Sequence, residues 1–304
     1  MQLSIVIVNW NTRDLLANCL ESIYNSSPNF AFSVIVIDNA SLDGSAEMVR
    51  KLFPTVQLLE NQENAGFAKA NNQGINLTEA NYILLLNPDT VVLSDALQVL
   101  VDFMDDHPEA GAIGSRVLNP DGSLQTSCYV IPTLSREFVR LFHLGRLCPG
   151  SQYRMESWDT NTPRRVEMIQ GDCLLLRKAA LDQVGLLDDS FFIYSEDIDL
   201  CYRLQLAAWV LCWVPQAQVI HYGGQSTSQV AAEMFLKLYQ SKLNYFRKHH
   251  GNTTALGYKV ILFITALSRF LLVPWAVLEP SPARGHHKDI VSNYRRLLRA
   301  LPNM

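Results

Sequence analysis

Along the first 118 residues, short apolar and β-branched blocks alternate with stretches in which apolar residues recur every three or four positions. The blocks at 3–8, 33–37, 56–60, 82–86 and 112–118 have the length of buried strands. Residues 14–26, with Leu15, Leu16, Cys19, Leu20 and Ile23 at helical spacing, predict a helix, as do 45–52, 65–77 and 96–106. Strands and helices alternating in this way predict an α/β fold, a doubly wound and mostly parallel sheet with helices on both faces. Beyond it the pattern loosens. Residues 119–165 contain Pro120, Pro132, Pro149 and Pro163 and read as loop. Strand character returns at 166–177, 210–214 and 218–221, with short helices at 179–184 and 198–208. From 231 the chain reads as helical and basic, then strongly apolar. The expected organisation is a body over 1–230, built from halves 1–118 and 119–230, followed by a tail over 231–304.

At 304 residues, 48% hydrophobic and 18% charged, the chain has ample material for a core. A formal charge of −4 argues against nucleic acid as a partner of the whole protein. The charge is uneven, however. Eleven of the 25 Lys and Arg, but three of the 29 Asp and Glu, lie between Ala232 and Met304, so that segment carries +8 and the remainder −12. A basic tail on an acidic body points to something anionic as the tail's partner. The six Cys form no C-x-x-C pair, which suits reduced thiols in a cytosol better than disulfides or a zinc site. Met1-Gln2-Leu3 leads straight into the first strand without a basic segment, so no secretory leader is expected.

Candidate chemistry concentrates where predicted strands end. At 84–90 the chain reads Leu-Leu-Leu-Asn-Pro-Asp-Thr. Pro88 stops a buried strand and leaves Asp89 at the carboxyl edge of the sheet, where open α/β folds bind ligands. A carboxylate there is a hard ligand for Mg²⁺ or Mn²⁺ bridging a diphosphate. On neighbouring strands, Asn9 ends the first and Asp38-Asn39 the second. An acid at such an end accepts hydrogen bonds from a ribose or base, though the same residue types also cap helices. No G-x-G-x-x-G follows the first strand, which counts against a dinucleotide cofactor. The Asn-rich segment 61–74 holds Asn64, Gly66, Lys69 and Asn71 near a helix start. Backbone N–H groups there favour phosphate, and Lys69 adds positive charge. Between Phe191 and Arg203, three acids, Glu196, Asp197 and Asp199, open a helix. That is more than the helix dipole calls for, and a carboxylate within reach of a hydroxyl is a natural general base. His221, ending a late strand before Tyr222-Gly223-Gly224, is a candidate to complete a metal site.

In order and spacing, the stretches 4–11, 36–41, 64–72, 84–90, 171–188, 191–203 and 221–223 resemble the family 2 glycosyltransferases of GT-A fold, most of all their rhamnosyltransferase-type branch. The resemblance covers about residues 3 to 225. It implies transfer of a sugar from a dTDP-sugar or UDP-sugar, in this branch L-rhamnose from dTDP-rhamnose, onto a glycan or lipid-linked glycan in cell-surface polysaccharide synthesis. The transfer is expected to invert the anomeric carbon in a single displacement. The family's metal-binding D-x-D motif is represented by Asn87-Pro88-Asp89. Its first acid is missing, so Asp89 is expected to carry most of the metal contact, with His221 the C-terminal metal or diphosphate ligand. The family's Glu-Asp pair matches Glu196-Asp197, and Asp197 is the expected base. Asn9, Asp38, Asn39, Asn64, Gly66, Lys69, Asn71, Asn87 and Arg203 are expected around the nucleotide and diphosphate. Gly171-Asp172 is expected to line the acceptor side.

The tail lies outside this resemblance. Residues 260–278 form a nineteen-residue apolar stretch broken by Arg269, with Pro274 a lesser interruption. The length just spans a bilayer, but a central Arg costs about 2.5–3.5 kcal/mol on insertion scales. With Lys and Arg on both sides, a segment lying in the plane of an anionic cytoplasmic leaflet is expected, Arg269 snorkelling to the headgroups. A core or dimer helix is the alternative, and the oligomeric state stays open. Two rival functions are weaker. A nucleotidyltransferase would want a Gly-rich basic loop where Asn9-Trp10-Asn11-Thr12-Arg13 stands. A silent sugar-nucleotide-binding scaffold would not need Asp89, Glu196 and Asp197 together.

Overall fold

The computed structural model describes residues 1–148, 150–271 and 292–304. They form two units, residues 1–131 with 153–229, and residues 132–152 with 230–304. The first unit opens with β1 (Leu3–Asn9), α1 (Arg13–Asn25), β2 (Phe32–Asp38), α2 (Ser45–Leu52), β3 (Gln57–Glu60), α3 (Phe67–Ile75) and β4 (Tyr82–Leu86). It continues through β5 (Thr90–Val92), α4 (Ala96–Asp106), β6 (Ala110–Leu118) and β7 (Cys128–Tyr129). After α5 (Leu134–Leu141), which belongs to the second unit, come β8 (Arg164–Arg165), β9 (Met168–Ile169), β10 (Cys173–Arg177), α6 (Lys178–Val184), α7 (Glu196–Leu206) and β11 (Val210–His221).

Among the described residues, the main sheet has nine strands in the order β3-β2-β1-β4-β10-β6-β11-β5, with β8 on β11. β3, β2, β1 and β4 run parallel. β10 is antiparallel to both its neighbours, β6 and β11 are parallel, and β5 returns antiparallel on β11. The sheet is therefore mixed. β1 and β4 are buried almost throughout, as strands covered by helices on both faces must be. α1 buries Leu16, Cys19, Leu20 and Ile23, and α4 buries Leu97, Leu100, Val101 and Met104, each an apolar stripe at helical spacing. α3 approaches β1 so closely that a Cβ on Gly74 would lie 2.4 Å from Val6 Cγ1.

Three departures from the sequence pattern matter for the site. The segment read as loop contains α5, whose cap Thr133 accepts from the Arg136 N–H (3.2 Å), and β7, which pairs with β9 in a small separate sheet. Pro132 and Pro163 stand just before α5 and β8, so they mark element boundaries, not the lack of elements. The stretch 166–177 is two strands, β9 and β10, parted by the turn Gln170-Gly171-Asp172. The two late strands are one, β11, whose register shifts between Val214 and Gln218, a bulge that lets it continue to His221.

In the second unit, α5 packs on α8 (Ala231–Leu271), which is broken at Gly251 (φ +80°). Buried Glu137 ties the two helices together, accepting from Lys242 Nζ (2.8 Å), Arg140 Nη2 (2.7 Å) and the Tyr258 hydroxyl (3.3 Å). Of the apolar stretch 260–278, residues from 272 lie outside the described residues. Within α8, Leu262, Thr265 and Ala266 are buried, while Val260, Phe263, Ile264 and Leu267 are exposed. Arg269 does not reach outward as expected. It donates to the Leu141 carbonyl (3.1 Å) and to His143 Nε2 (2.7 Å), because these acceptors on the α5 side lie within its reach. Among the described residues, no helix is long and apolar enough to cross a membrane.

Candidate active site

β1 and β2 end in register, Asn9 opposite Asp38. Buried Asn9 donates from Nδ2 to Asp38 Oδ1 (2.8 Å) and Ser41 Oγ (3.0 Å), and its Oδ1 accepts from Thr12 Oγ1 (2.7 Å). The Ser41 N–H donates to Asp38 Oδ2 (2.9 Å). Two protein donors thus orient a carboxylate that offers about four acceptor positions, leaving capacity for a ligand hydroxyl or N–H. Asn39 acts as a strut, donating to the Gly66 carbonyl (3.2 Å) and accepting from Asn61 (2.7 Å). Asn64 Oδ1 accepts from the Gly66 N–H (3.0 Å) and turns the chain into α3. Gly66 has φ +84°, and a Cβ there would lie 2.5 Å from the Phe192 carbonyl oxygen, so no side chain fits. The Phe67 N–H donates to that same oxygen (2.6 Å), joining the start of α3 to the loop before α7.

A second cluster forms where β4 and β11 end and the antiparallel β10 begins. The Asn87 N–H donates to the Asp172 carbonyl (3.0 Å), and the Tyr222 N–H to the Asp89 carbonyl (3.0 Å). The backbone so brings two buried side chains together, Asp89 Oδ1 standing 3.2 Å from His221 Nε2. Asn87 Nδ2 is 3.2 Å from the same nitrogen. Across the ring, Nδ1 lies 2.6 Å from Gln125 Oε1. Gln125 Nε2 donates to Asn119 Oδ1 (2.8 Å) and the His221 carbonyl (3.3 Å), which turns Oε1 to the ring and assigns the proton to Nδ1. Neutral His221 therefore points the Nε2 lone pair at Asp89. Two acceptors so close need a proton or a cation between them.

Burial alone would lower the proton affinity of His221, but the hydrogen bond to Asp89 and the charges of Asp172 and Asp89 outweigh it and raise the imidazole above its ordinary value. Asp172 Oδ2, 3.8 Å from Nδ1, has no hydrogen-bond partner among the described residues. Burial pushes this carboxyl up to about 7, with His221 opposing the rise. Among the described residues, no group of three or more His, Cys, Asp and Glu side chains forms a metal cage by itself.

The third cluster opens α7. Tyr194 (φ +66°) and Ser195 (φ +67°) both adopt left-handed backbone, a strain of about 1–3 kcal/mol each, kept at the turn that sets Glu196 and Asp197. Asp197 Oδ1 accepts from the Ile198 N–H (2.8 Å) and Oδ2 from the Gly171 N–H (3.3 Å). Gly171 is followed by Asp172, so this one turn touches both the acidic helix start and the Asp89–His221 pair. Glu196 is buried with Oε2 unpartnered among the described residues. Burial, then the negative charges of Asp197 and Asp199, hold its carboxyl well above the usual range.

The profile of Glycosyl transferase family 2 matches residues 4–185, the stretch carrying Asn9, Asp38, Asp89 and Asp172. The chain belongs to this family. This glycosyltransferase is similar to the N-acetylglucosaminyl-diphospho-decaprenol L-rhamnosyltransferase of Mycobacterium tuberculosis (strain ATCC 25618 / H37Rv), 32% identical over 234 residues, covering 72% of this chain and 76% of that protein. It is also similar to rhamnosyltransferase WbbL of Escherichia coli (strain K12), 29% identical over 171 residues, covering 55% of this chain and 62% of that one. It is a rhamnosyltransferase-like member of the family. Among solved structures, the mannosyltransferase PcManGT of Pyrobaculum calidifontis, in complex with GDP-Man and Mn²⁺, aligns with a TM-score of 0.59 over 98% of this chain and 85% of that one. At 15% identity that likeness shows a GT-A-like fold alone.

Several residues expected at the donor do other work in this glycosyltransferase. Arg203 donates to Asp199 (2.8 Å) and to the carbonyls of Val184 (2.7 Å), Gly185 (3.0 Å) and Leu186 (2.7 Å), so it fastens α7 to the end of α6. Buried Asn71 donates to the Phe67 carbonyl (2.9 Å) inside α3, and Asn39 and half-buried Asn64 hold the loop before it. Lys69 is exposed on α3. Asp172 was expected only to line the acceptor side, yet it stands beside His221. The signal was a lone acid before the apolar run 173–176, mirroring Asp89 after the run 82–86. Gln125 gave no signal, since it lies in a segment without periodicity.

Proposed function

We propose that this glycosyltransferase moves L-rhamnose from dTDP-rhamnose onto a lipid-linked N-acetylglucosaminyl diphosphate in cell-surface glycan synthesis, inverting the anomeric carbon in one displacement. The names of its rhamnosyltransferase relatives support the sugar and the acceptor class. The observation that carries the reading is the Gly171-Asp172 turn, which couples Asp197 on one side to Asp89 and His221 on the other.

A divalent cation fits the residues present. Two neighbouring ligands of octahedral Mg²⁺ or Mn²⁺, each at about 2.1 Å, stand about 3 Å apart, close to the 3.2 Å between Asp89 Oδ1 and His221 Nε2. Asp89 and His221 would hold it, the donor diphosphate completing a set that the protein leaves open. When bound, it neutralises charge growing on the departing diphosphate. Asp38, oriented by Asn9, receives the nucleoside. Asp197 takes the proton of the acceptor hydroxyl as its oxygen bonds to the anomeric carbon and the bond to the diphosphate oxygen breaks on the opposite face. Burial beside Asp197 and Asp199 disfavours a charge on Glu196, which keeps a second negative charge away from that base.

The enzyme works at the cytoplasmic face of an anionic membrane in this reading. Leu256, Val260, Phe263, Ile264 and Leu267 recur at helical spacing on α8 and are exposed, and the surplus of Lys and Arg after residue 231 supplies attraction.

The test is turnover of dTDP-rhamnose, with UDP-sugars for comparison, on a synthetic N-acetylglucosaminyl-diphospho-polyprenol in Mn²⁺ or EDTA, the product anomer read by NMR. Transfer that needs the metal and inverts the anomeric carbon is expected. Retained configuration contradicts the mechanism, and EDTA-insensitive turnover contradicts the cation site.

A further inference from the structure

We propose that Tyr129 is the platform on which the ring of the acceptor sugar lies. This rests on the glycosyl-transfer reading above and adds the residue that selects the acceptor. β7 pairs antiparallel with β9 so that Cys128 faces Ile169 and Tyr129 faces Met168. The ladder continues as the Gln170 N–H donates to the Ser127 carbonyl (2.9 Å), and the next N–H, that of Gly171, reaches Asp197. Tyr129 therefore stands on the strand beside the turn that holds the candidate base. Its side chain is 40% exposed, although Cys128 beside it is fully buried.

The ring is not loose. Its hydroxyl donates to the Thr126 carbonyl (3.0 Å), which fixes the far end of the side chain while part of the ring stays in solvent. Burial and then the negative charges of Asp172 and Asp197 push the phenol up to about 12, so both carboxylates act on it electrostatically and it stays a neutral hydrogen-bonding group. A pyranose has one face of C–H bonds and a rim of hydroxyls. A fixed aromatic ring binds the C–H face through dispersion and burial, while its hydroxyl oxygen can accept from the rim. Asp197 lies near enough to act on the phenol electrostatically, so a sugar resting there would bring a hydroxyl toward it, the arrangement that proton removal requires. The ligand class is thus the acceptor's terminal hexose. Nothing in this placement calls for contact with the nucleotide.

Tyr129→Ala, Tyr129→Leu and Tyr129→Phe, measured with dTDP-rhamnose and the synthetic N-acetylglucosaminyl-diphospho-polyprenol, test this. Ala and Leu should raise the acceptor KM by about tenfold, with the donor KM and the slow transfer of rhamnose to water unchanged. Phe keeps the ring and should stay within about threefold of wild type. Leu keeps the bulk, so it reports on the ring even where Ala perturbs the fold. An acceptor KM within twofold of wild type in both Ala and Leu overturns the platform. So does a donor KM that rises in step with the acceptor KM. Wild-type protein that transfers no sugar would instead overturn the underlying reading, whatever the variants do.

Discussion

Replacing Gln125 by Leu tests how the protein presents His221. The amide oxygen of Gln125 accepts the Nδ1 proton at 2.6 Å, and the next acceptor, Asp172 Oδ2, lies 3.8 Å away, beyond a hydrogen bond. Leu fills similar space and offers no acceptor. A buried N–H left without a partner costs about 1–3 kcal/mol. The imidazole can escape that cost by moving its proton to Nε2, which then faces Asp89 as a donor and is lost as a lone pair for a cation. Substitution of a residue that orients a metal-binding His typically costs about 10–100-fold in metal affinity or activity, about 1.4–2.8 kcal/mol at 1.4 kcal/mol per tenfold. The two figures agree. The assay is initial rate against Mn²⁺ concentration at saturating donor and acceptor. In Gln125→Leu the Mn²⁺ midpoint should rise by about 10–100-fold, with much of the maximal rate recovered at high metal. Melting in EDTA should fall by a few degrees, at about 2–4 °C per kcal/mol for a domain of this size. A folded variant with the wild-type Mn²⁺ midpoint would refute the argument.

Three further outcomes are expected. Gly66→Ala places a Cβ 2.5 Å from the Phe192 carbonyl oxygen at φ +84°, so it should lower stability by at least about 1–3 kcal/mol and raise the donor KM; an unchanged melting temperature would show that the loop relaxes freely. Glu137 is buried, which alone would raise its carboxyl, but Lys242 and then Arg140 hold it below its ordinary 4.5. Its stabilisation is therefore complete above 4.5 and lost as pH falls through the lower folded value. Lys242→Met, which breaks this buried pair, should cost about 3–5 kcal/mol at pH 7 in urea unfolding, and a loss under about 1 kcal/mol would contradict the role given to the pair. On the membrane, wild-type protein should sediment with anionic vesicles at low salt, and Phe263→Ser with Ile264→Ser should lose this; sedimentation unaltered by both changes would remove α8 as the contact.

The parallel half of the fold was legible because β1, β4 and most of β2 are buried on both faces. Runs such as Ile83 to Leu86 have no other use in a chain of this composition, and the helices between them keep one apolar stripe each. The antiparallel return of β10 was not legible, since period and burial do not encode direction. α5 was hidden by Pro132 just before it and by a buried acid, Glu137, which reads as surface until Lys242 is seen beside it. At the site, acids that end or begin apolar runs stood out: Asp38, Asp89 and the Glu196-Asp197 pair. What remained invisible were side chains whose work is to hold another side chain. Gln125 behind His221 depends on a contact 96 residues apart; Asn9 was legible as a strand end, but not as the donor to Asp38, 29 residues away. The internal partners of Arg203 were hidden for the same reason, as its four acceptors come together only after α6 and α7 have packed.

The proposed reaction turns on Asp197 as the base for the acceptor hydroxyl. The deciding measurement is the rate of rhamnose transfer by Asp197→Asn beside wild type, with dTDP binding in Mn²⁺ measured on the same samples. The amide keeps the size of the side chain and removes its basicity. Transfer should fall by about 10²–10⁴-fold while dTDP binding stays within about twofold of wild type. Transfer within about threefold of wild type would contradict the assignment, and with it the division of this site into a donor side at Asp89 and His221 and an acceptor side at Asp197.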